Sequence, residues 1–244
     1  MKVGVLVRTR NEEKRIWQFC NAYRDADYIL VADGGSEDNT IRIAKSFPNV
    51  EVRKYTKRVL LQGGYWRNND SDHSNFLFEW SREPEYGLDW VIYDDCDCRP
   101  NYKLRLHYRK ILDETEADYV MAVRLYLWDK YLHFPDMAKP GENHDKWEAS
   151  LWAWRTDQDF WTVDDNFPHF SFRIGDKPVK DLHFDAKTID LMPPYCLLHT
   201  SWMDKKHLEN KLLQHRAGGS IPNIRHPLEY AGKLEILPEW AYEL

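Results

Sequence analysis

The first hundred residues alternate short apolar runs with segments whose apolar residues recur at helical spacing. Short apolar runs of this kind are typical of strands that are buried on both faces of a sheet. The runs lie at 3–7, 28–32, 50–53 and 90–93. Because strands and helices alternate, the sequence predicts an α/β fold in which a mostly parallel central sheet carries helices on both faces.

Helix boundaries follow from capping residues and turn signals. Asn11 is predicted to cap the first helix, with two glutamates in its first turn. Further helices are predicted to begin near Asp38, near Arg67 and at Asn101.

The second half of the chain is less regular. Strands are predicted at 120–128, 152–155 and 167–174, and a helix at 204–215. Residues 129–147 are predicted to form a long loop and are a candidate substrate lid. Since no repeat and no linker interrupts the chain, we expect a single domain over residues 1–244. We divide it into a regular half, 1–100, and a smaller, irregular, β-containing half, 101–244, which ends in a tail.

Charge and composition exclude several classes of protein. The 34 basic residues are outnumbered by 40 acidic ones, and a net charge of −6 disfavours a broad nucleic-acid-binding face. No apolar run approaches the length of a membrane span, and the N-terminal apolar stretch is too short for a secretory signal. The four cysteines have no disulfide or zinc spacing, so we expect reduced thiols and a cytoplasmic location.

Polar clusters follow three of the predicted strands. They are Thr9-Arg10-Asn11, Asp33-Gly34-Gly35-Ser36 and Asp95-Cys96-Asp97. In a parallel α/β sheet, ligands bind in the crevice at the carboxyl ends of the strands, so we expect these clusters to meet there. Two carboxylates at one strand end are suitable ligands for Mg²⁺ or Mn²⁺, which bind oxygen and retain positions for substrate phosphates.

These clusters, in order and with their spacing, resemble the nucleotide-binding half of a family 2 glycosyltransferase with the GT-A fold. The resemblance covers roughly the first hundred residues and is carried by four segments, which are Val7-Arg8-Thr9-Arg10-Asn11-Glu12-Glu13, Val31-Ala32-Asp33-Gly34-Gly35-Ser36-Glu37-Asp38-Asn39-Thr40, Arg67-Asn68 and Asp89-Trp90-Val91-Ile92-Tyr93-Asp94-Asp95-Cys96-Asp97. The second half is similar only in outline, with a late His199 where the family often places a third metal ligand.

The resemblance implies a role for each matching residue of the donor site. Thr9 and the turn after it, Arg10 and Asn11, would contact the nucleobase and ribose, and Asp33 would hydrogen-bond the base. The family often has a second acid after Asp33. Here that position is Gly34, which leaves the identity of the base open.

The resemblance also implies how the diphosphate and metal would be held. Arg67 would approach the diphosphate, where the planar fork of an arginine suits phosphate oxygens. Asp95 and Asp97 would hold the ribose and an Mn²⁺ or Mg²⁺ ion, and His199 would complete the metal or phosphate contacts.

An inverting transfer, towards which the resemblance leans, requires a general base that deprotonates the acceptor hydroxyl. In the family this base is typically an acid of the second half, and the candidates here are Asp164, Asp165 and Glu148. Five tryptophans of the same half are candidates for an acceptor platform as well as for the core. They are Trp128, Trp147, Trp152, Trp154 and Trp161.

The resulting hypothesis is a metal-dependent glycosyltransferase that uses a nucleoside diphosphate sugar. A glycan, a lipid-linked sugar, a protein side chain and a hydroxylated nucleic-acid base all remain open as acceptors. One alternative is a sugar-1-phosphate nucleotidyltransferase, although the turn after the first strand has two acids and lacks the glycines that such an enzyme uses around a triphosphate. The other alternative is a non-catalytic module that binds nucleotides or glycans.

Overall fold

The structure is a computed structural model of the 244-residue chain. It describes residues 1–60, 66–68, 70–127, 132–133, 149–166, 169–178, 187–200, 203, 235–236 and 239–241.

Sixteen strands and four α-helices lie within these described residues. The strands, β1 to β16 in chain order, are Val3–Thr9, Tyr28–Asp33, Val50–Lys54, Arg58–Leu60, Trp66–Asn68, Trp90–Tyr93, Cys98–Pro100, Tyr119–Tyr126, Leu132–His133, Ala149–Arg155, Phe160–Asn166, His169–Ile174, Lys177–Pro178, Thr188–Leu191, Leu197–His199 and Glu235–Ile236. The helices, α1 to α4, are Ile16–Ala22, Thr40–Ala44, Asp70–Ser81 and Tyr102–Glu114, and a 3₁₀ turn covers Glu239–Ala241.

The four strands predicted in the first half are adjacent in one sheet. Their spatial order is β3-β2-β1-β6, and every neighbouring pair among them is parallel. The prediction of a parallel sheet in this half is therefore confirmed. All four strands end on the same side, so the segments that follow them share one edge of the sheet.

Strands from the second half extend the same sheet. β10 pairs antiparallel with both β6 and β8, and β8 pairs parallel with β15 and β14. β15 in turn pairs antiparallel with β7, which begins just after the predicted Asp95-Cys96-Asp97 cluster. β11, β12 and β13 form a separate antiparallel sheet.

Helices cover both faces of the sheet, as predicted. Along β1, Val3, Val5 and Val7 pack into a core with residues of α1, α2 and α4, whereas Leu6 packs into a second core with residues of α3. This alternation is the period-two pattern of a strand that is buried on both faces. Each fully buried Val or Leu contributes about 1.5–3 kcal/mol to stability, so the two cores hold the site-bearing edge firmly.

Two helix starts differ from prediction, and one agrees. Asn11 does not cap α1: the helix begins at Ile16, and Asn11 has a left-handed backbone (φ 56°) in the turn after β1. The helix predicted from Arg67 begins at Asp70, because Arg67 belongs to the short strand β5. Asn101 caps α4 as predicted, since its side-chain oxygen accepts a hydrogen bond from the Leu104 N–H at 3.0 Å.

Several predictions fall outside the described residues. They include the helix at 204–215 and all of the 129–147 loop except Leu132–His133, which pairs with β16. All four cysteines are buried and free in the structure. In the described parts of the chain, no helix has the length and apolar character needed to cross a bilayer.

Candidate functional site

The turns after β1 and β2 are joined directly. Thr9 and Asp33 are register partners at the ends of these strands, and the Gly34 N–H donates to the Thr9 carbonyl at 2.8 Å. Beyond them, the Asn11 N–H donates to the Ser36 hydroxyl at 3.0 Å. The first two polar clusters predicted from the sequence therefore form one continuous rim.

Thr9 is almost fully buried at this rim. Its hydroxyl oxygen is shielded from solvent and has no hydrogen-bond partner among the residues that the structure describes. Arg10 follows it and is partly exposed. A buried hydroxyl without a partner costs stability, so Thr9 is a natural contact for a ligand group.

The Asp33 carboxylate is engaged by its own turn. Its oxygens accept hydrogen bonds from the Gly35 N–H (3.2 Å), from the Ser36 N–H (3.0 Å) and from the Ser36 hydroxyl (2.6 Å). The side chain is buried, and it fixes the shape of this turn. The hydrogen bond from Asp33 to a nucleobase stays a prediction.

The two glycines of this turn lie against the β4–β5 hairpin. A side chain on Gly34 would collide with Asn68, and one on Gly35 would begin 2.7 Å from Nη2 of Arg58. Arg58 and Asn68 are directly opposite each other in the hairpin. Arg67 lies beside Asn68 in β5, but its side chain is outside the described part of the chain, so its phosphate role stays a prediction.

The Asp95-Cys96-Asp97 cluster meets the end of β15. Asp97 Oδ1 lies 3.7 Å from His199 Nε2, and both side chains are about nine-tenths buried. The Asp97 carbonyl accepts hydrogen bonds from the Thr200 N–H at 2.7 Å and from the Thr200 hydroxyl at 2.8 Å. The structure thus brings His199 to the cluster from a position about a hundred residues away in the sequence.

Asp95 is held by arginine on the other side of the cluster. One oxygen of its half-exposed carboxylate lies 3.1 Å from Nη2 of Arg8. Nη1 of the same guanidinium lies 3.3 Å from Asp70 Oδ1 and donates to the Asp70 carbonyl at 3.1 Å. Arg8 therefore ties the cluster to the first turn of α3.

Asp97 and His199 would need further ligands, such as water or phosphate oxygens, to complete the shell of a metal ion. Within the described residues, no group of three His, Cys, Asp or Glu side chains is placed to hold a metal ion, so Asp95, Asp97 and His199 do not form a closed cage. Two atoms that bind the same Mg²⁺ ion, each with a bond of about 2.1 Å, lie at most roughly 4 Å apart. The distance between Asp97 Oδ1 and His199 Nε2, 3.7 Å, is within this limit. Magnesium usually takes only one or two protein carboxylates and completes its shell with water and phosphate oxygens.

The buried carboxylate of Asp94 directly precedes the Asp95-Cys96-Asp97 cluster in the chain. Asp94 is fully buried; its Oδ1 accepts a hydrogen bond from the Asp95 N–H at 3.1 Å, and its Oδ2 accepts one from the Tyr23 hydroxyl at 3.1 Å. Burial raises the pKa of Asp94 to about 7, even though the Arg124 guanidinium 3.5 Å away acts in the opposite direction. Asp94 thus fixes the backbone that carries Asp95.

The candidate general bases are placed only in part. Asp164 and Asp165 lie in β11 at an irregularity of the register, where Val163 pairs with Ser171 but Asn166 pairs with His169. Such bulges commonly redirect side chains next to active sites. The side chains of Asp164 and Asp165, and all of Glu148, are outside the described part of the chain.

The β11 strand is anchored close to the metal-binding candidates. The Thr162 hydroxyl lies 3.0 Å from that of Ser71, which follows Asp70 in α3.

Of the tryptophans considered for an acceptor platform, Trp152 and Trp154 are instead buried in the core, and Trp161 is partly exposed. Trp128 and Trp147 are outside the described residues.

Sequence reasoning missed several residues that shape this site. Arg8 and Asp94 carried a signal, because each is a charged residue that adjoins an apolar strand segment. Arg124 carried the same signal in β8. Asn68 carried none, since its position against Gly34 depends on a contact between a hairpin and a distant turn.

Structure comparison finds solved structures with a similar fold. S. aureus TarS 1-349 is 14% identical, with a TM-score of 0.53 over 94% of this chain and 68% of that one. S. aureus TarS is 16% identical, with a TM-score of 0.52 over 82% of this chain, and S. aureus TarS 1-349 in complex with UDP-GlcNAc gives 16% and 0.50 over the same share.

The chain spans 37% of the length of the S. aureus TarS structure and 61% of the UDP-GlcNAc complex. No family model matches the sequence, and no curated protein matches it. At these identities the likeness concerns the fold alone. The α/β fold of the GT-A type that the sequence predicts is thereby confirmed.

Proposed function

We propose that the chain is a metal-dependent glycosyltransferase that moves a sugar from a nucleoside diphosphate sugar to a hydroxyl acceptor with inversion. The observation that carries this proposal is the meeting of Asp97 and His199, 3.7 Å apart, at the carboxyl end of the sheet. A buried carboxylate and a buried imidazole, placed where α/β folds bind nucleotides, support a site for a cation and a diphosphate.

Asp97 and His199 would hold the cation, and Asp95 would stand beside it. When bound, Mn²⁺ or Mg²⁺ would neutralise the charge that develops on the diphosphate leaving group. The hydrogen bonds from Thr200 to the Asp97 carbonyl keep this short segment in register with β15. Arg8 restrains Asp95 from the opposite side and adds a positive charge close to the expected phosphates.

The rim formed by the turns after β1 and β2 would receive the nucleoside. Thr9, with its buried hydroxyl, and the following Arg10 and Asn11 would contact base and ribose, and Arg67 would approach the diphosphate. UDP-sugars are the first donors to test, because the UDP-GlcNAc complex is among the structures with a similar fold.

Asp164 and Asp165 would supply the general base, with Glu148 as a further candidate. Support comes from the β11 bulge at these two residues and from the contact of Thr162 with Ser71, one residue from Asp70. We propose a cytoplasmic enzyme, since its four cysteines are free thiols.

Release of UDP from UDP-sugars, followed with Mn²⁺ and with EDTA, tests the proposal. We expect metal-dependent release by the wild-type chain and a loss of roughly a hundredfold or more in Asp97→Asn, because several kcal/mol of charge stabilisation disappear. Asp118→Asn is the matched control. Asp118 is also a buried, ion-paired carboxylate, but it lies before β8, at the other end of the sheet. Equal rates with and without metal would contradict the proposal.

A further inference from the structure

We propose that Asn68 reads the nucleobase of the donor: its side-chain oxygen accepts the ring N3–H of uracil. This inference rests on the proposed function and adds the base to it.

Asn68 occupies the space next to Gly34. A Cβ atom on Gly34 would stand 3.0 Å from Asn68 Cγ and closer still to Oδ1, nearer than real Cβ atoms approach an oxygen. Any side chain at position 34 would therefore require the Asn68 amide to shift. Asn68 Oδ1, a hydrogen-bond acceptor from β5, lies next to the position that a Cβ atom of residue 34 would occupy.

The amide orientation of Asn68 is fixed by its neighbours. Its Nδ2 donates to the Lys57 carbonyl at 3.2 Å and to the Tyr55 carbonyl at 3.5 Å. Because both partners are acceptors, the NH₂ group faces them and Oδ1 faces Gly34. Only 6% of the residue is exposed, so the oxygen is held rigidly as a neutral acceptor.

The neighbouring polar groups of the rim have other partners or the opposite polarity. The Asp33 oxygens already accept hydrogen bonds from Gly35 and Ser36 of their own turn. Opposite Asn68 in the hairpin, the Arg58 guanidinium lies against Gly35 and offers donors. An acceptor beside a donor matches the N3–H of uracil, which is flanked by carbonyl oxygens, and cytosine has no hydrogen on N3.

Binding of nucleotides in the presence of Mn²⁺, measured by calorimetry, tests the inference. The probes are UDP, CDP and 3-methyluridine diphosphate, in which a methyl group replaces the N3–H. We expect wild type to bind UDP about tenfold more tightly than the other two, as the loss of one buried hydrogen bond predicts. Asn68→Ala is expected to bind UDP and its methylated analogue alike.

Asn49→Ala is the matched control. Its Nδ2 also donates to two backbone carbonyls, those of Ala26 (2.9 Å) and Arg24 (3.4 Å), but it lies before β3, at the opposite end of the sheet. We expect this variant to keep the wild-type preference for UDP. The double variant Gly34→Asp with Asn68→Ala is expected to regain that preference, because the acid then has room.

The outcomes of this experiment separate the role of Asn68 from the proposed function. If wild type binds UDP and its methylated analogue equally well, or if Asn68→Ala keeps the preference for UDP, the role of Asn68 is refuted while the proposed function stands. If wild type binds no nucleoside diphosphate with Mn²⁺, both proposals fail. The comparison of the two ligands on wild type needs no variant, so it holds even if Asn68→Ala does not fold.

Discussion

Replacing Asp94 by Asn is expected to stabilise the chain by about 3 kcal/mol more at pH 8 than at pH 5. Asp94 is fully buried, and burial raises its pKa from 3.8 to about 7. A carboxyl whose pKa is raised on folding contributes stability that is complete below pH 3.8 and is lost as the pH rises through 7. At 1.36 kcal/mol for each tenfold change in proton affinity, the loss between pH 5 and pH 8 is about 3 kcal/mol.

The assay is urea unfolding of wild type and Asp94→Asn at several values between pH 5 and pH 8. At pH 5 the folded forms of both chains carry a neutral group at this position. Between pH 5 and pH 8 the variant is expected to gain about 3 kcal/mol of stability relative to wild type, because it has no carboxylate to ionise. Asp27→Asn is the control: the Val3 N–H and Arg109 outweigh burial and hold the pKa of Asp27 below its usual range, so its curve should run parallel to wild type. Parallel curves for Asp94→Asn would refute the reasoning.

Three further variants probe the surroundings of the site. Burial, aided by the charge of Arg8, lowers the pKa of His73 to about 3. Wild type should therefore lose about 2 kcal/mol of unfolding free energy from pH 8 to pH 5, and His73→Gln should not. Equal pH dependence of the two chains in urea unfolding would contradict this. Asn101→Ala removes the cap of α4 and is expected to lower the free energy of unfolding by about 1 kcal/mol, whereas an unchanged urea midpoint would show that the cap is dispensable. Arg8→Met removes the hydrogen bonds to Asp95 and Asp70 and should lower the free energy of unfolding by about 2 kcal/mol in the same assay. Because a nearby positive charge disappears, the same variant should bind Mn²⁺ more tightly, and weaker binding would refute that electrostatic role.

The parallel half of the sheet was predictable because its strands carry their own signal. Val3 to Val7 and Tyr28 to Ala32 are apolar on both faces, and only a strand covered by helices on both sides buries such a run. The meeting of the turns after these strands then follows from parallel pairing. The approach of His199 to Asp97 was expected only from the family resemblance, because it depends on the pairing of β15 with β7.

What the sequence did not predict depends on contacts between distant segments. Asn11 has the side chain of a helix cap, but its side-chain Oδ1 accepts a hydrogen bond from the Glu37 N–H of the neighbouring turn at 2.8 Å instead. β5 is only three residues long, which is too short for a periodic signal, so Arg67 was assigned to the helix that follows. The contact of Asn68 with Gly34 depends on the pairing of β4 with β5.

Calorimetric titration of Mn²⁺ into the chain with and without UDP tests the cation site most directly. The account predicts that UDP and Mn²⁺ strengthen each other's binding, and that His199→Ala and Asp97→Asn each remove this mutual effect. If Mn²⁺ binds equally well in both variants, or if UDP binds with the same affinity in its absence, then no cation links β15 and the segment after β6 to a diphosphate, and the account is wrong.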